Sequence, residues 1–279
     1  MTTILNKYAI EELMGQGKFG KVYKGLIIKT KEQVAIKMEP TNTTTPLLKH
    51  ETNILNHLYR CGCRCIPFIY WYGIHRNHTT LVMSYYKVSL QDVIEKDRTE
   101  FSEAQINKIM EKTIELVENI HIHYVVHRDL KPHNFMFGQD GELYIIDFGL
   151  ANIYVDEDKK HTKPSSRELV MGNHKYMSYN IYCGNEATRR DDMISLGYMY
   201  IYLRLGLLPW DDVKIEDTSC SELHIVNNRN QYRKMCKSWE NIEELCSQLD
   251  PQFYRYMEYC YRLSFEGVPL YEELKKLFM

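Results

Sequence analysis

The chain has 279 residues, 44% hydrophobic and 26% charged, with a formal net charge of −2, which is material for one large domain or two small ones. So small a net charge gives no overall electrostatic reason to expect nucleic acid or an anionic membrane as partner, and no apolar run approaches the roughly 18–20 residues of a membrane span. The segment Met1 to Tyr8 lacks the apolar stretch of a secretory signal, so a soluble intracellular protein, cytoplasmic or nuclear, is expected, with its eight cysteines reduced.

In chain order, Tyr8 to Met14 and Lys21 to Ile28 flank the turn Gly15-Gln16-Gly17-Lys18-Phe19-Gly20 and predict a hairpin. Gln33 to Met38 predicts a third strand ended by Pro40, and Thr41 to Thr45 a loop. A helix follows from about Pro46 to Tyr59, with Leu47, Leu48, Ile54, Leu55 and Leu58 as its apolar stripe. Glu51 sits inside that stripe, four residues from both Leu47 and Leu55. A carboxylate facing a core is unfavourable unless a cation meets it, and Lys37 on the third strand is the natural candidate. The cluster Cys61-Gly62-Cys63-Arg64-Cys65 reads either as a metal or redox site or as reduced cysteines in a connection. The second reading is favoured, because three alternating thiolates leave a tetrahedral shell incomplete.

Thr80 to Met83 predicts a further strand, and a boundary between two lobes is placed near residue 85. Ser102 and Gln105 form a capping box at the start of a long helix. Ile106, Ile109, Met110, Thr113, Ile114, Val117 and Ile120 make its buried face. Asn134 to Phe137 and Leu143 to Ile146 predict short strands around the turn Asp140-Gly141. Asp192 opens an apolar helical run, where the helix dipole favours a carboxylate.

Three motifs carry chemistry. Gly15-x-Gly17-x-x-Gly20-x-Val22 is ambiguous alone, since the spacing also occurs in dinucleotide-binding folds, where the third glycine opens a helix. Here a strand follows, the form in which the loop covers the phosphates of ATP; a plain glycine hairpin is the alternative. Val34-Ala35-Ile36-Lys37 ends in a lysine that alone would reach for solvent. Paired with Glu51, it would instead hold its ammonium against the α- and β-phosphates. The run His127-Arg128-Asp129-Leu130-Lys131-Pro132-His133-Asn134 is followed by Asp147-Phe148-Gly149. Asp129 is placed to accept or orient the proton of an attacking hydroxyl, and Lys131 to neutralise the γ-phosphate. Asn134 and Asp147 supply oxygen ligands for magnesium, a hard ion that needs few protein ligands when phosphates complete its shell.

With these motifs the chain resembles a eukaryotic-type protein kinase, and within that superfamily it is similar to the casein kinase I group, with the vaccinia-related kinases a close second. The group likeness rests on Gly172-Asn173-His174-Lys175-Tyr176-Met177-Ser178-Tyr179-Asn180 in place of Ala-Pro-Glu. It also rests on Arg189-Arg190-Asp191-Asp192 with Ser195-Leu196-Gly197-Tyr198, on Leu208-Pro209-Trp210 and on Tyr256 to Phe278.

The resemblance implies an α+β, bilobal catalytic domain over residues 1–279. A small antiparallel β-sheet lobe with one main helix (about 1–85) would precede a larger, mostly helical lobe (about 86–279). It implies ATP and Mg2+, with Gly15, Gly17, Gly20, Val22, Ala35 and Lys37 around the nucleotide in the cleft. The adenine would meet backbone groups of Ser84 and Tyr86, and Met83 would gate the pocket behind. The γ-phosphoryl group would pass to Ser or Thr of protein substrates, with Lys131 favouring these over Tyr.

Lys175 and Arg229 match basic positions of the group's substrate anion site, whereas Glu168 and Gln231 replace basic residues there, which weakens phosphate recognition. His133 stands where the group has Asp and is not expected to ligate. Arg128 could pair with a phosphate on Thr162, Ser165 or Ser166. Solvated hydroxyls are the favoured reading, since the group implies no need for such a phosphate. With no extension beyond Met279 to act as a regulatory tail, constitutive activity is expected; a monomer is expected as well. The alternative is a pseudokinase-like nucleotide-binding scaffold, disfavoured by the presence of Lys37, Asp129 and Asp147. A small-molecule kinase is disfavoured by the protein-kinase form of residues 150–179 and 189–198.

Overall fold

Buried β-branched and aromatic side chains make the N-terminal part a sheet. The computed structural model describes residues 2–17, 20–97, 101–165, 172–211 and 222–279. They divide into two compact units, Met1–Asp92 with His133–Ala151, and Val93–Pro132 with Asn152–Met279.

The first unit is built on β1 (Thr2–Ile4), β2 (Tyr8–Gly17), β3 (Gly20–Ile27), β4 (Gln33–Pro40), β5 (Ile69–His75) and β6 (His78–Ser84). These pair antiparallel in the order β1-β2-β3-β4-β6-β5. Ile4, Tyr8, Ile27, Val34, Ile36 and Val82 form one buried cluster on the sheet. The strands β1 and β5 go beyond the sequence reading; β5 exposes much of Ile-Tyr-Trp-Tyr-Gly-Ile-His and carries no clean alternation. Gly17 faces Gly20 across the hairpin, and Lys18 and Phe19 lie outside the described residues.

Helix α1 (Leu47–Arg60) buries Leu48, Glu51, Thr52, Ile54, Leu55 and Leu58, as its periodicity requires. It packs against β4, β5, β6 and a 3-10 turn at Phe148–Leu150. A second small sheet joins β7 (Val88–Ser89), β9 (Phe135–Phe137) and β10 (Leu143–Ile145) in the order β10-β9-β7. Helix α2 (Leu90–Asp97) follows β7 in the chain.

The second unit is helical. Helix α3 (Glu103–His121) starts at the expected capping box, Ser102 accepting from the Gln105 N–H and Gln105 from the Ser102 N–H. A two-stranded ladder of β8 (Val125–Val126) and β11 (Asn152–Ile153) and a short α4 (Tyr179–Tyr182) come next. Helix α5 (Arg189–Leu205) is buried on every face from Asp191 to Leu203, which makes it the axis of this unit. A second capping box, Thr188 with Asp191, starts it, and Gly206 at φ 73° ends it in the left-handed region that glycine tolerates. The remaining helices are α6 (Glu222–Cys236), α7 (Trp239–Ser247), α8 (Pro251–Arg262) and α9 (Tyr271–Lys276). Helices α3 and α8 pack on α5, α9 on α3, and α7 on α8. The α+β class is thus observed, and no helix among the described residues is long and apolar enough to cross a membrane.

Close packing of β3 is testable at Gly25, where an added Cβ would sit 2.4 Å from the Ala9 carbonyl oxygen and 2.6 Å from Ile36 Cδ1. The substitution Gly25→Val is expected to destabilise the protein by about 1–3 kcal/mol through overpacking, read as a lower thermal unfolding midpoint. An unchanged midpoint would contradict this packing.

Candidate active site

Strand β4 turns Lys37 toward α1, which presents Glu51 from its buried face. Nζ of Lys37 donates to Glu51 Oε1 at 2.6 Å and to Asp147 Oδ1 at 3.0 Å. The Glu51 side chain is 4% exposed and that of Lys37 15%, whereas Asp147 keeps 44% open to solvent. Burial pulls the Lys37 ammonium down, but the carboxylates of Asp147 and Glu51 outweigh it and hold the proton more firmly than on an ordinary lysine. Burial pushes the Glu51 carboxyl up, opposed by Lys37 and by a hydrogen bond from the Phe148 backbone.

Two further contacts lock this arrangement. The His50 ring is hydrogen-bonded to the Ala151 carbonyl at 2.7 Å, and Phe148 is wholly buried in the turn packed against α1. Asp147 itself has φ 67° and ψ 71°, a left-handed conformation strained for a non-glycine residue. Asn134 is brought to the same region, since its carbonyl accepts the Ile146 N–H at 2.9 Å.

The nucleotide candidates lie on the same sheet. Gly15 is opposite Val22, Val22 opposite Lys37, and Ala35 opposite Met83, so these five positions lie on neighbouring rungs. At Gly20, φ is 128° and a Cβ would meet the Met38 carbonyl oxygen at 2.2 Å, so only glycine fits. The Ser84 N–H is taken by the Phe68 carbonyl at 3.0 Å, and the Tyr86 ring stacks on Tyr144 with centroids 4.7 Å apart.

In the second unit, Asp129 is buried. Its Oδ1 accepts the Asn173 N–H at 3.0 Å, and its Oδ2 meets Lys131 Nζ at 2.5 Å. Asp192 holds the preceding backbone from below, accepting the N–H groups of His127 at 2.6 Å and Arg128 at 2.8 Å. Those bonds support Arg128 at φ 71°, a second strained residue. His121 donates from Nε2 to Asp192 at 3.0 Å and accepts the Tyr271 hydroxyl at Nδ1, 2.7 Å away, linking α3, α5 and α9. The Asp192 role was legible as a helix N-terminal acid; its His121 and Tyr271 supports were not, since they come from distant helices.

Other sequence candidates are placed differently. Lys175 Nζ pairs with Asp211 at 2.7 Å and lies 3.9 Å over the Tyr202 ring, so its charge is already engaged. Arg229 and Gln231 are exposed on α6, and Glu168 and Ser166 lie outside the described residues. The Thr162 hydroxyl donates to the Tyr154 carbonyl at 3.3 Å, and Ser165 is exposed. In the cysteine cluster, Cys63 is buried with its Sγ 3.5 Å from that of Cys65, and no group of three or more His, Cys, Asp or Glu side chains is arranged for a metal among the described residues. Asp191, which the sequence shows only as part of the Arg189 to Asp192 motif, accepts from Ser178 Oγ at 2.6 Å and Asn180 Nδ2 at 3.0 Å, tying Ser178 and α4 to α5.

A family model described as a protein kinase domain matches residues 8–266. The chain is 31% identical over 279 residues to casein kinase I homolog 1 of Schizosaccharomyces pombe, covering 97% of this chain and 60% of that protein. It is 34% identical over 280 residues to casein kinase I homolog 1 of Saccharomyces cerevisiae, covering 98% and 50%, and 33% identical over 279 residues to casein kinase I homolog 2 of S. pombe, covering 97% and 61%. The chain therefore spans only half to three fifths of the length of these relatives.

The buried His121–Asp192 pair makes stability fall in acid. Burial holds His121 below 6.5, its unfolded value, despite the opposing Asp192, so below about pH 6.5 the unfolded chain binds a proton that the native state refuses. Burial alone would raise Asp192, but His121 and the loop N–H groups hold it below 3.8; its contribution is present above that value and lost as pH falls through the lower native one. The urea midpoint is expected to drop between pH 7.5 and 5.5 and to drop less in His121→Gln; equal slopes would refute the assignment.

Proposed function

Since the chain belongs to the protein kinase family, we propose that it transfers the γ-phosphoryl group of ATP to serine or threonine hydroxyls of protein substrates, as a casein kinase I-type enzyme. The observation that carries this reading is the Lys37 ammonium held between Glu51 and Asp147. A lysine so buried and so firmly protonated has no structural need of two carboxylates, one of them half-open to solvent. It does suit a nucleotide whose phosphates take up the ammonium while Asp147 turns to a metal.

The glycine hairpin would lie over the phosphates, with Gly20 allowing close backbone approach. Val22, Ala35 and Met83 offer apolar surface to the adenine. With the Ser84 N–H already engaged by Phe68, the Ser84 carbonyl is the group left to accept from the adenine amine, and the Tyr86 backbone supplies the adjacent contact. Asp147 and Asn134 suit magnesium, since both offer hard oxygens and their backbones meet through Ile146. When bound, a magnesium ion held by Asp147 and Asn134 would supply positive charge against the phosphates.

Asp129 has one oxygen held by Asn173 and the other by Lys131. It would orient the acceptor hydroxyl and take its proton, while Lys131 moves to the transferred group. Positioning and electrostatic stabilisation account for most of the rate in such chemistry. Because Lys175 is paired with Asp211, its charge is poorly available to a phosphate on the substrate. Peptide arrays are therefore expected to show little preference for phospho-primed over acidic or unprimed acceptors.

The direct test incubates the protein with labelled ATP, magnesium and casein. Lys37→Met and Asp147→Asn are expected to abolish labelling with the circular dichroism spectrum of the folded protein retained, Lys37→Met at a lower unfolding midpoint because Glu51 loses its cation. Wild-type labelling by Asp147→Asn would overturn the proposal.

A further inference from the structure

Lys237, in the turn between α6 and α7, is fully buried. Lysine is almost never enclosed unless paired, yet among the described residues no carboxylate lies within ion-pair distance of its Nζ. Instead Nζ donates to three main-chain carbonyls: Met177 at 2.6 Å, His174 at 2.9 Å and Lys175 at 3.2 Å. It also faces the rings of Trp210, Tyr198 and Tyr182, 4.7, 4.8 and 5.2 Å from their centroids. Three acceptors use all three N–H groups of an ammonium, and the ring faces supply further cation–π stabilisation. Burial and then the Arg233 guanidinium pull this ammonium well below the ordinary lysine value, opposed at longer range by Asp211; the three carbonyls and the ring faces are the groups in direct contact that favour the charged form. Around the cage, Trp210 donates its indole N–H to the Lys175 carbonyl at 2.7 Å, and the Tyr261 hydroxyl donates to the carbonyl of Lys237 itself at 3.0 Å.

All three carbonyls belong to one turn, and the other side of that turn meets the proposed chemistry. The N–H groups of Tyr176 and Met177 return to the Asn173 carbonyl at 3.1 and 3.0 Å, and the Asn173 N–H donates to Asp129 Oδ1 at 3.0 Å. The turn thus presents its carbonyls to one cation and an N–H to one carboxylate. We propose that Lys237 is a positioning residue for phosphoryl transfer: its ammonium gathers the carbonyls of His174, Lys175 and Met177 so that Asn173 holds the Asp129 carboxylate toward the acceptor hydroxyl. This rests on the reading of Asp129 given above. The lysine touches neither nucleotide nor acceptor and acts through the turn.

The test is steady-state kinetics on Lys237→Ala with casein as acceptor. kcat is expected to fall at least about tenfold, the equivalent of one good interaction lost from the transition state, with the KM for ATP unchanged because the nucleotide groups lie on the first unit. The truncation removes a propylammonium's worth of side chain, so added n-propylammonium is expected to restore turnover and n-propanol, equal in size but uncharged, is not. Where Lys237→Ala fails to bind nucleotide because it does not fold, Lys237→Met carries the kinetic comparison, filling the cage without donors. Wild-type kcat in these variants, or rescue by both additives or by neither, would overturn the proposal. A wild-type protein that does not label casein would instead overturn the parent reading.

Discussion

One buried ammonium organises the first unit. Lys37 is contributed by β4 of the large sheet, Glu51 by the helix packed on it, and Asp147 by a segment more than a hundred residues away, and the three meet within 3.0 Å. Opening a buried pair of this kind by removing one partner costs about 3–5 kcal/mol, because the other charge is left without compensation. The pair therefore sets the rotation of α1 on the sheet, and the turn at Phe148 and the His50 bond to Ala151 follow from that placement.

The second unit solves the same physical problem with a buried carboxylate. Asp192 satisfies two consecutive backbone N–H groups, at His127 and Arg128, that no strand or helix ladder could reach. Left-handed backbone at Arg128 and at Asp147 is strained by about 1–3 kcal/mol each, and in both places it is held by charge-assisted bonds from distant elements. Asp129 and Lys237 extend the pattern: each is a buried charge that orders a loop through main-chain partners rather than through an opposite charge alone.

Much of this is legible in the sequence. Glu51 on an apolar stripe asked for a cation, and Lys37 supplies it. The capping box at Ser102 and the hairpin around Gly15 to Gly20 lie where turn and cap chemistry put them. What stayed hidden was chiefly long-range. Lys175 read as an available cation because nothing local revealed Asp211 and the Tyr202 ring, which lies on a different helix. Lys237 read as nothing at all, since a lysine between two helices looks like surface.

The amino-acid order alone determined local features: the glycine hairpin, the helices that follow Pro46 and Ser102, and the spacing that keeps Asp129, Asn134 and Asp147 in sequence. Those features depend on periodicity, caps and turns spanning a few residues. Only the tertiary structure decided which of the charges are spent on one another. It drew residues 133–151 into the unit of the N-terminal sheet, paired Lys175 with Asp211, and buried Lys237 among carbonyls and aromatic rings. Burial and charge pairing depend on neighbours brought together by the packed fold, and no local pattern in the chain records them.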